Sequence, residues 1–102
     1  MRVVVVTKEG MDYSRGVNEW LEEFARRTGR ELEVLDPNSG EGEGFVRTYD
    51  ILEYPAIVAI STEGAEVMRW SGAMLPTINE VSFYVVGDDA GGLNSVEENE
   101  QA

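Results

Sequence analysis

Four consecutive valines, Val3 to Val6, set the first constraint on this chain. Successive side chains of a strand point to opposite faces, so a strand with one wet face alternates apolar and polar residues. A run that is apolar at every position needs cover on both faces, and its β-branched residues suit a strand. Arg2 to Thr7 therefore reads as a strand inside a sheet that carries helices on either side. Tyr54-Pro55-Ala56-Ile57-Val58-Ala59-Ile60 repeats the signature. Pro55 stands at its start, where a missing amide donor is tolerated.

The residues between and after these two strands supply the helices. After the turn Lys8-Glu9-Gly10, residues Val17, Trp20, Leu21, Phe24 and Ala25 fall at i, i+3, i+4, i+7 and i+8, the buried stripe of a helix. Asp12 and Ser14 are its candidate N-caps, and Gly29 stands where a left-handed residue ends it. Glu31 to Leu35 reads as the second strand. Asp36 to Gly44 (DPNSGEGEG) is turn chemistry and is expected to be a mobile loop, with Asp36 as the turn-former before Pro37. Phe45, Val46 and Tyr49 then space out a short second helix. Glu63-Gly64 suits a tight turn into Glu66 to Trp70, a hairpin partner that Gly72 closes. Pro76, with Thr77 and Glu80 as a capping box, opens a last helix bearing Ile78, Val81, Ser82 and Val85 on one face. The order β-α-β-α-β-β-α is an α/β layout. Its β-α-β unit gives a parallel pair by right-handed crossover, and the hairpin adds antiparallel pairing, a four-stranded mixed sheet flanked by helices.

Composition removes most chemistries. The chain has 102 residues, enough for one domain over residues 1–86, followed from Gly87 by GDDAGGLNSVEENEQA, an expected acidic, flexible tail. It contains no Cys and no His, which excludes disulfides, thiolate nucleophiles, Cys/His zinc sites and imidazole acid–base work. No apolar run approaches the roughly 18–20 residues of a membrane span and no signal segment opens the chain, so a soluble, cytoplasmic protein is expected. Twenty acidic against eight basic residues give a net charge of −12, which repels nucleic-acid phosphates and anionic lipid, so neither is expected as a partner. Gly40, Gly42 and Gly44 alternate with Glu41 and Glu43, too acidic for a phosphate cradle. Asp88, Asp89, Glu97 and Glu98 lack the spacing of a calcium loop, and no metal site is expected.

The segment Thr7-Lys8-Glu9-Gly10-Met11-Asp12-Tyr13-Ser14-Arg15 resembles the glutaredoxin active-site segment T-K-x-x-C-P-Y-C, which likewise follows strand one and opens helix one. Thr7, Lys8 and Tyr13 fit. Met11 stands in place of the nucleophilic cysteine, Asp12 of the proline and Ser14 of the resolving cysteine. Tyr54-Pro55 is similar to the family's cis-proline position, and Trp70-Ser71-Gly72 to its glycine region. Ala73-Met74 replaces the double-acid pair that glutaredoxins use to hold glutathione's amino end. Over about residues 1–86 the chain thus resembles the glutaredoxin/thioredoxin family as a degenerate member without either active-site cysteine. The resemblance implies a thioredoxin-like fold, a cis bond before Pro55, and a ligand or peptide site at Lys8, Met11, Asp12, Tyr13, Ser14, Tyr54, Pro55 and Gly72.

Thiol–disulfide exchange needs a thiolate, and neither a thioether nor a serine hydroxyl replaces it. The iron–sulfur binding of monothiol relatives also needs a cysteine at position 11. What the resemblance leaves is a binding or interaction module. The residue before the cis-proline offers backbone N–H and C=O groups to an extended peptide, which assigns that contact to Tyr54. The start of helix one, with Lys8 beside it, suits a carboxylate or thiolate, while Asp12 competes for the same amides. Met11 either caps the apolar edge of the vanished site or offers a thioether contact. Two alternatives stand: binding or conjugation of glutathione, with Tyr13 or Ser14 activating its thiol as in the first domain of glutathione transferases, and a structural subunit of a larger assembly. No cofactor besides glutathione is a candidate. A protein or peptide partner fits, and the oligomeric state stays open.

Lys8 is the single lysine among the eight basic residues. Acid excess with scarce lysine fits a salt-rich cytoplasm, where a Debye length of about 3 Å screens a carboxylate surface, and it fits equally a GC-rich genome that favours arginine. Thermal melting separates the two: Tm rises between low salt and molar KCl in the first case and gains nothing in the second.

Overall fold

β1 spans Arg2–Val6 in the computed structural model of the protein, which describes residues 1–90, and all of its valines are buried. Six more elements follow in the expected order: α1 (Ser14–Thr28), β2 (Glu33–Leu35), α2 (Gly40–Tyr49), β3 (Ala56–Ile60), β4 (Glu66–Ser71) and α3 (Ile78–Ala90). The strands form one sheet in the order β2-β1-β3-β4. β1 runs parallel to β2 and antiparallel to β3, and β4 runs antiparallel to β3. The two strands that are apolar at every position are therefore the inner ones. Among the described residues, no helix is long and apolar enough to cross a membrane.

Strand alternation divides the core into two halves. Val3, Val5, Ile57 and Ala59 face Val17 and Phe24 of α1 and Ile78 and Val81 of α3. Val4, Val6, Ala56, Val58 and Ile60 face the other way, toward Leu35, Phe45 of α2 and Ile51. Burying each such aliphatic side chain is worth about 1.5–3 kcal/mol, so a polar residue anywhere in the valine run would strip one half of the core. Trp20 stacks on Phe24 with ring centroids 5.4 Å apart, and its indole N–H donates to the Pro76 carbonyl at 2.9 Å, fastening α1 to the start of α3. On the other side of the sheet, Arg2 donates two 2.8 Å hydrogen bonds to the Glu33 carboxylate and ties β1 to β2. That contact holds the Glu33 carboxyl below the ordinary carboxylate range, against the opposing effect of burial.

Local structure departs from the sequence expectations at three places. The second strand begins at Glu33, two residues later than Glu31. Neither Asp12 nor Ser14 caps α1: Tyr13 occupies the N-cap without a side-chain bond, because the Ser14 hydroxyl is committed elsewhere. The largest difference is in DPNSGEGEG, where the mobile loop gives way to helix from Gly40 onward. The Ser39 hydroxyl accepts the Gly42 N–H at 2.9 Å and donates to the Asp36 carbonyl at 2.7 Å. Glu41 and Glu43 sit in the first turn, where the helix dipole favours acids. Capping and dipole together outweigh the poor helix propensity of three glycines.

Other local signals hold. Gly29 ends α1 at φ +74°. The Asp36 carboxylate accepts the Asn38 N–H at 2.8 Å in the expected turn. Thr77 and Glu80 form the capping box: the Glu80 carboxylate accepts the Thr77 N–H at 2.9 Å, and the Thr77 hydroxyl accepts the Glu80 N–H at 3.1 Å. α3 continues past the composition shift at Gly87 to Ala90, and the remaining residues of the expected tail, 91–102, lie outside the described residues.

The glycines of α2 differ in kind. A Cβ on Gly42 would overlap the Asp36 carbonyl, whereas one on Gly44 meets nothing within 4 Å. Gly44→Ala should stabilise the protein by roughly 0.5–1 kcal/mol through helix propensity, and Gly42→Ala should destabilise it by about 1–3 kcal/mol through overpacking, both read by urea denaturation.

Candidate functional site

Sheet register gathers the site at one end. Val6 pairs with Ala56 and Ala56 with Ser71, so Thr7, Pro55 and Gly72 leave the sheet side by side. The Tyr54–Pro55 bond is cis, as the resemblance implied. The Gly72 N–H donates to the Pro55 carbonyl at 2.8 Å, and the φ of +98° at Gly72 is one that a residue with a side chain rarely adopts. The Lys8 ammonium lies 5.2 Å from the centroid of the Tyr54 ring, a cation–π contact that joins the loop after β1 to the loop before β3.

The segment between β1 and α1 is pinned by Ser14. Its buried hydroxyl donates to the Lys8 carbonyl at 2.6 Å and accepts the Met11 N–H at 2.9 Å. Its proton is therefore spent on the backbone rather than offered to a ligand. Met11 is 47% exposed and packs against neither half of the core, so it faces solvent instead of capping an apolar edge. Asp12 is exposed and makes no bond to the first-turn amides of α1. Tyr13 turns inward, against the α1/α3 half of the core, and its buried hydroxyl has no hydrogen-bond partner. The same holds for the hydroxyl of Thr7. Of the residues singled out in the sequence, Lys8, Met11, Ser14, Tyr54, Pro55 and Gly72 are thus linked by direct contacts, while the functional atoms of Tyr13 and Asp12 are not part of that group.

Tyr54 carries the chemistry that remains. Its hydroxyl reaches the Ile51 carbonyl at 3.5 Å, but its own N–H and C=O have no hydrogen-bond partner among the described residues. A backbone donor and acceptor left unpaired beside a sheet end suit an incoming extended chain. Three neighbours were not among the site residues expected from the sequence, although Met74 was noted as a departure from the family pattern. Leu52 and Met74 are 84% and 93% exposed, on the loops that hold Tyr54 and follow Gly72. The Glu53 carboxylate lies so close to Gly72 that an added Cβ there would stand 3.0 Å from it. Leu52 and Glu53 flank the strand signature without a motif of their own; an apolar residue between buried Ile51 and acidic Glu53 was the only signal.

Over 90% of this chain and 98% of the other, the structure matches thioredoxin 1 of Thermosipho africanus with a TM-score of 0.60 at 14% sequence identity. The fold is thioredoxin-like. An uncharacterised thioredoxin-like protein from Clostridium perfringens matches with a TM-score of 0.64 at 12% identity, covering 84% of this chain and 68% of that one. Fasciola hepatica thioredoxin matches with a TM-score of 0.59 at 22% identity, covering 84% and 80%. No protein-family model matches the sequence, and no curated protein matches it. This thioredoxin-like domain has no cysteine anywhere in its sequence, so the thiol chemistry of an active-site cysteine pair is absent from it.

The hydroxyls of Tyr13 and Ser14 have opposite energetics. Ser14→Ala strands the Met11 N–H and should cost about 1–3 kcal/mol, whereas Tyr13→Phe removes an unpaired buried hydroxyl and should leave stability unchanged or raise it by about 1 kcal/mol. Chemical denaturation of both variants checks this; a large loss for Tyr13→Phe would mean that its hydroxyl has a partner.

Proposed function

We propose that this chain is a redox-inactive thioredoxin-like module that binds an extended peptide at the loops around Tyr54, Pro55 and Gly72. The unpaired N–H and C=O of Tyr54, set before a cis-proline, are the observation that carries this reading. Main-chain pairing there supplies affinity, and side chains around it select the ligand. Met11, Leu52 and Met74 favour apolar side chains, and Lys8 favours a carboxylate. Glutathione is the smallest candidate peptide. Ala73-Met74 gives its amino end no acid pair, although Glu53 places a carboxylate at Gly72. Conjugation through Tyr13 or Ser14 has less support, because one hydroxyl is buried and the other is bound to the backbone.

An amide NMR titration in molar KCl tests this, with glutathione and S-hexylglutathione as probes. Saturable shifts confined to residues 8–15, Tyr54, Ala56 and Gly72 are expected, larger at a given concentration for the hexyl derivative. Silence from both probes up to about 10 mM, a millimolar limit equivalent to only a few kcal/mol of binding, would overturn the reading. The same protein should give no turnover in a glutathione-coupled disulfide reduction assay.

A further inference from the structure

The sheet has two edges, and they are unequal. β2 offers three residues, while β4 offers six, on the outer side of the sheet. Natural edges are blunted by charged side chains, proline or bulges. β4 has a bulge near its start, where the pairing shifts between Ala59 and Ile60, but Met68–Ser71 is regular. Its one cation does not guard it. Arg69 folds back on its own subunit, donating to both oxygens of Glu66 and to the carbonyls of Tyr49 and Asp50.

Beside this edge lies an apolar strip. Met68, Trp70, Phe83 and Tyr84 line a groove of about 250 Å³ between β4 and α3, with Glu80 as its one charged residue. Trp70 meets Tyr84 edge-on at 5.5 Å, and Tyr84 meets Phe83 at 5.2 Å, yet Phe83 remains 72% exposed. On a chain of charge −12 the strip carries a single carboxylate, Glu80, and the two charges of β4 itself, Glu66 and Arg69, pair with each other. A basic partner, which the overall charge attracts, finds few acids here to pair with. A second apolar strip suits it better.

We propose that β4 pairs antiparallel with β4 of a second copy of this chain. The Gly72 N–H donates to Pro55, so by alternation Arg69 and Ser71 point their N–H and C=O groups away from β3. A two-fold axis at Trp70 sets Arg69 opposite Ser71, Met68 opposite Gly72, and Trp70 opposite its own mate. No like charges meet in this register, and both copies of α3 fall on one side, with Phe83 beside the seam. The short regular stretch makes few main-chain bonds, so the apolar strip supplies the affinity. The rest of the acidic surface opposes association, and salt relieves that repulsion.

Sedimentation equilibrium of the full chain tests this, from about 0.01 to 1 mM protein and from about 0.1 to 2 M KCl. A reversible monomer–dimer equilibrium that tightens with KCl is expected. Phe83→Ser, an exposed position that leaves the fold intact, should weaken it at least about tenfold, and Val34→Thr on the opposite edge should leave it unchanged. A monomer under all these conditions overturns the proposal and leaves the edge to a foreign strand. A dimer that ignores Phe83→Ser, or that Val34→Thr weakens equally, places the contact elsewhere and also overturns it. The peptide site shares Gly72 with this seam but is read by ligand titration at residues 8–15 and Tyr54, whereas the dimer is read by sedimentation and Phe83→Ser, so either idea can fail alone.

Discussion

Cover for a sheet that is apolar on both faces is the constraint on which this molecule depends. β1 and β3 bury every residue from Val3 to Val6 and from Ala56 to Ile60, and neither face tolerates water. α1 and α3 answer one face, and α2 answers the other. With inner strands antiparallel, the end of β1 and the start of β3 emerge at the same place, and β4 brings Gly72 to join them. The candidate site is therefore a by-product of how the core is closed, set by main chain rather than by reactive side chains.

That separation is why this thioredoxin-like fold needs no cysteine. The backbone features at the site are the cis bond at Pro55, the Gly72 to Pro55 hydrogen bond, and the unpaired main chain of Tyr54. None of them uses a thiol. Ser14 is structural, holding the loop from Lys8 to Met11 in place with a buried hydroxyl. Met11 is a solvent-facing thioether. Without a thiol the domain has no disulfide exchange, and the main-chain arrangement around Tyr54 is intact without one.

Most of the fold was legible because its signals were local and redundant. The valine run, the helical stripe from Val17 to Ala25, Gly29 and the Thr77–Glu80 box each report on a few neighbouring residues. The α2 start was misread because three glycines argue for a loop, while the Ser39 cap and the first-turn acids Glu41 and Glu43 that outweigh them are weaker signals in a sequence. The site was half legible. Motif spacing located Lys8, Tyr54, Pro55 and Gly72, but spacing does not tell which way a side chain turns. Tyr13 fits the motif letter and points its hydroxyl into the core. Leu52 belongs to no motif and Met74 entered only as a departure from one, and their exposure became meaningful only once the loops were placed beside Tyr54.

The central claim is that the main chain around Tyr54 holds a peptide without any thiol chemistry. Tethering tests it without relying on affinity. Met11→Cys alters a half-exposed side chain outside the core, and oxidised glutathione would convert its thiol to a mixed disulfide, releasing one reduced glutathione. An NMR structure of that adduct should show contacts between the tripeptide backbone and the Tyr54 amide, with Tyr54 newly protected from hydrogen exchange. A tethered tripeptide that makes no contact with Tyr54 would contradict the account.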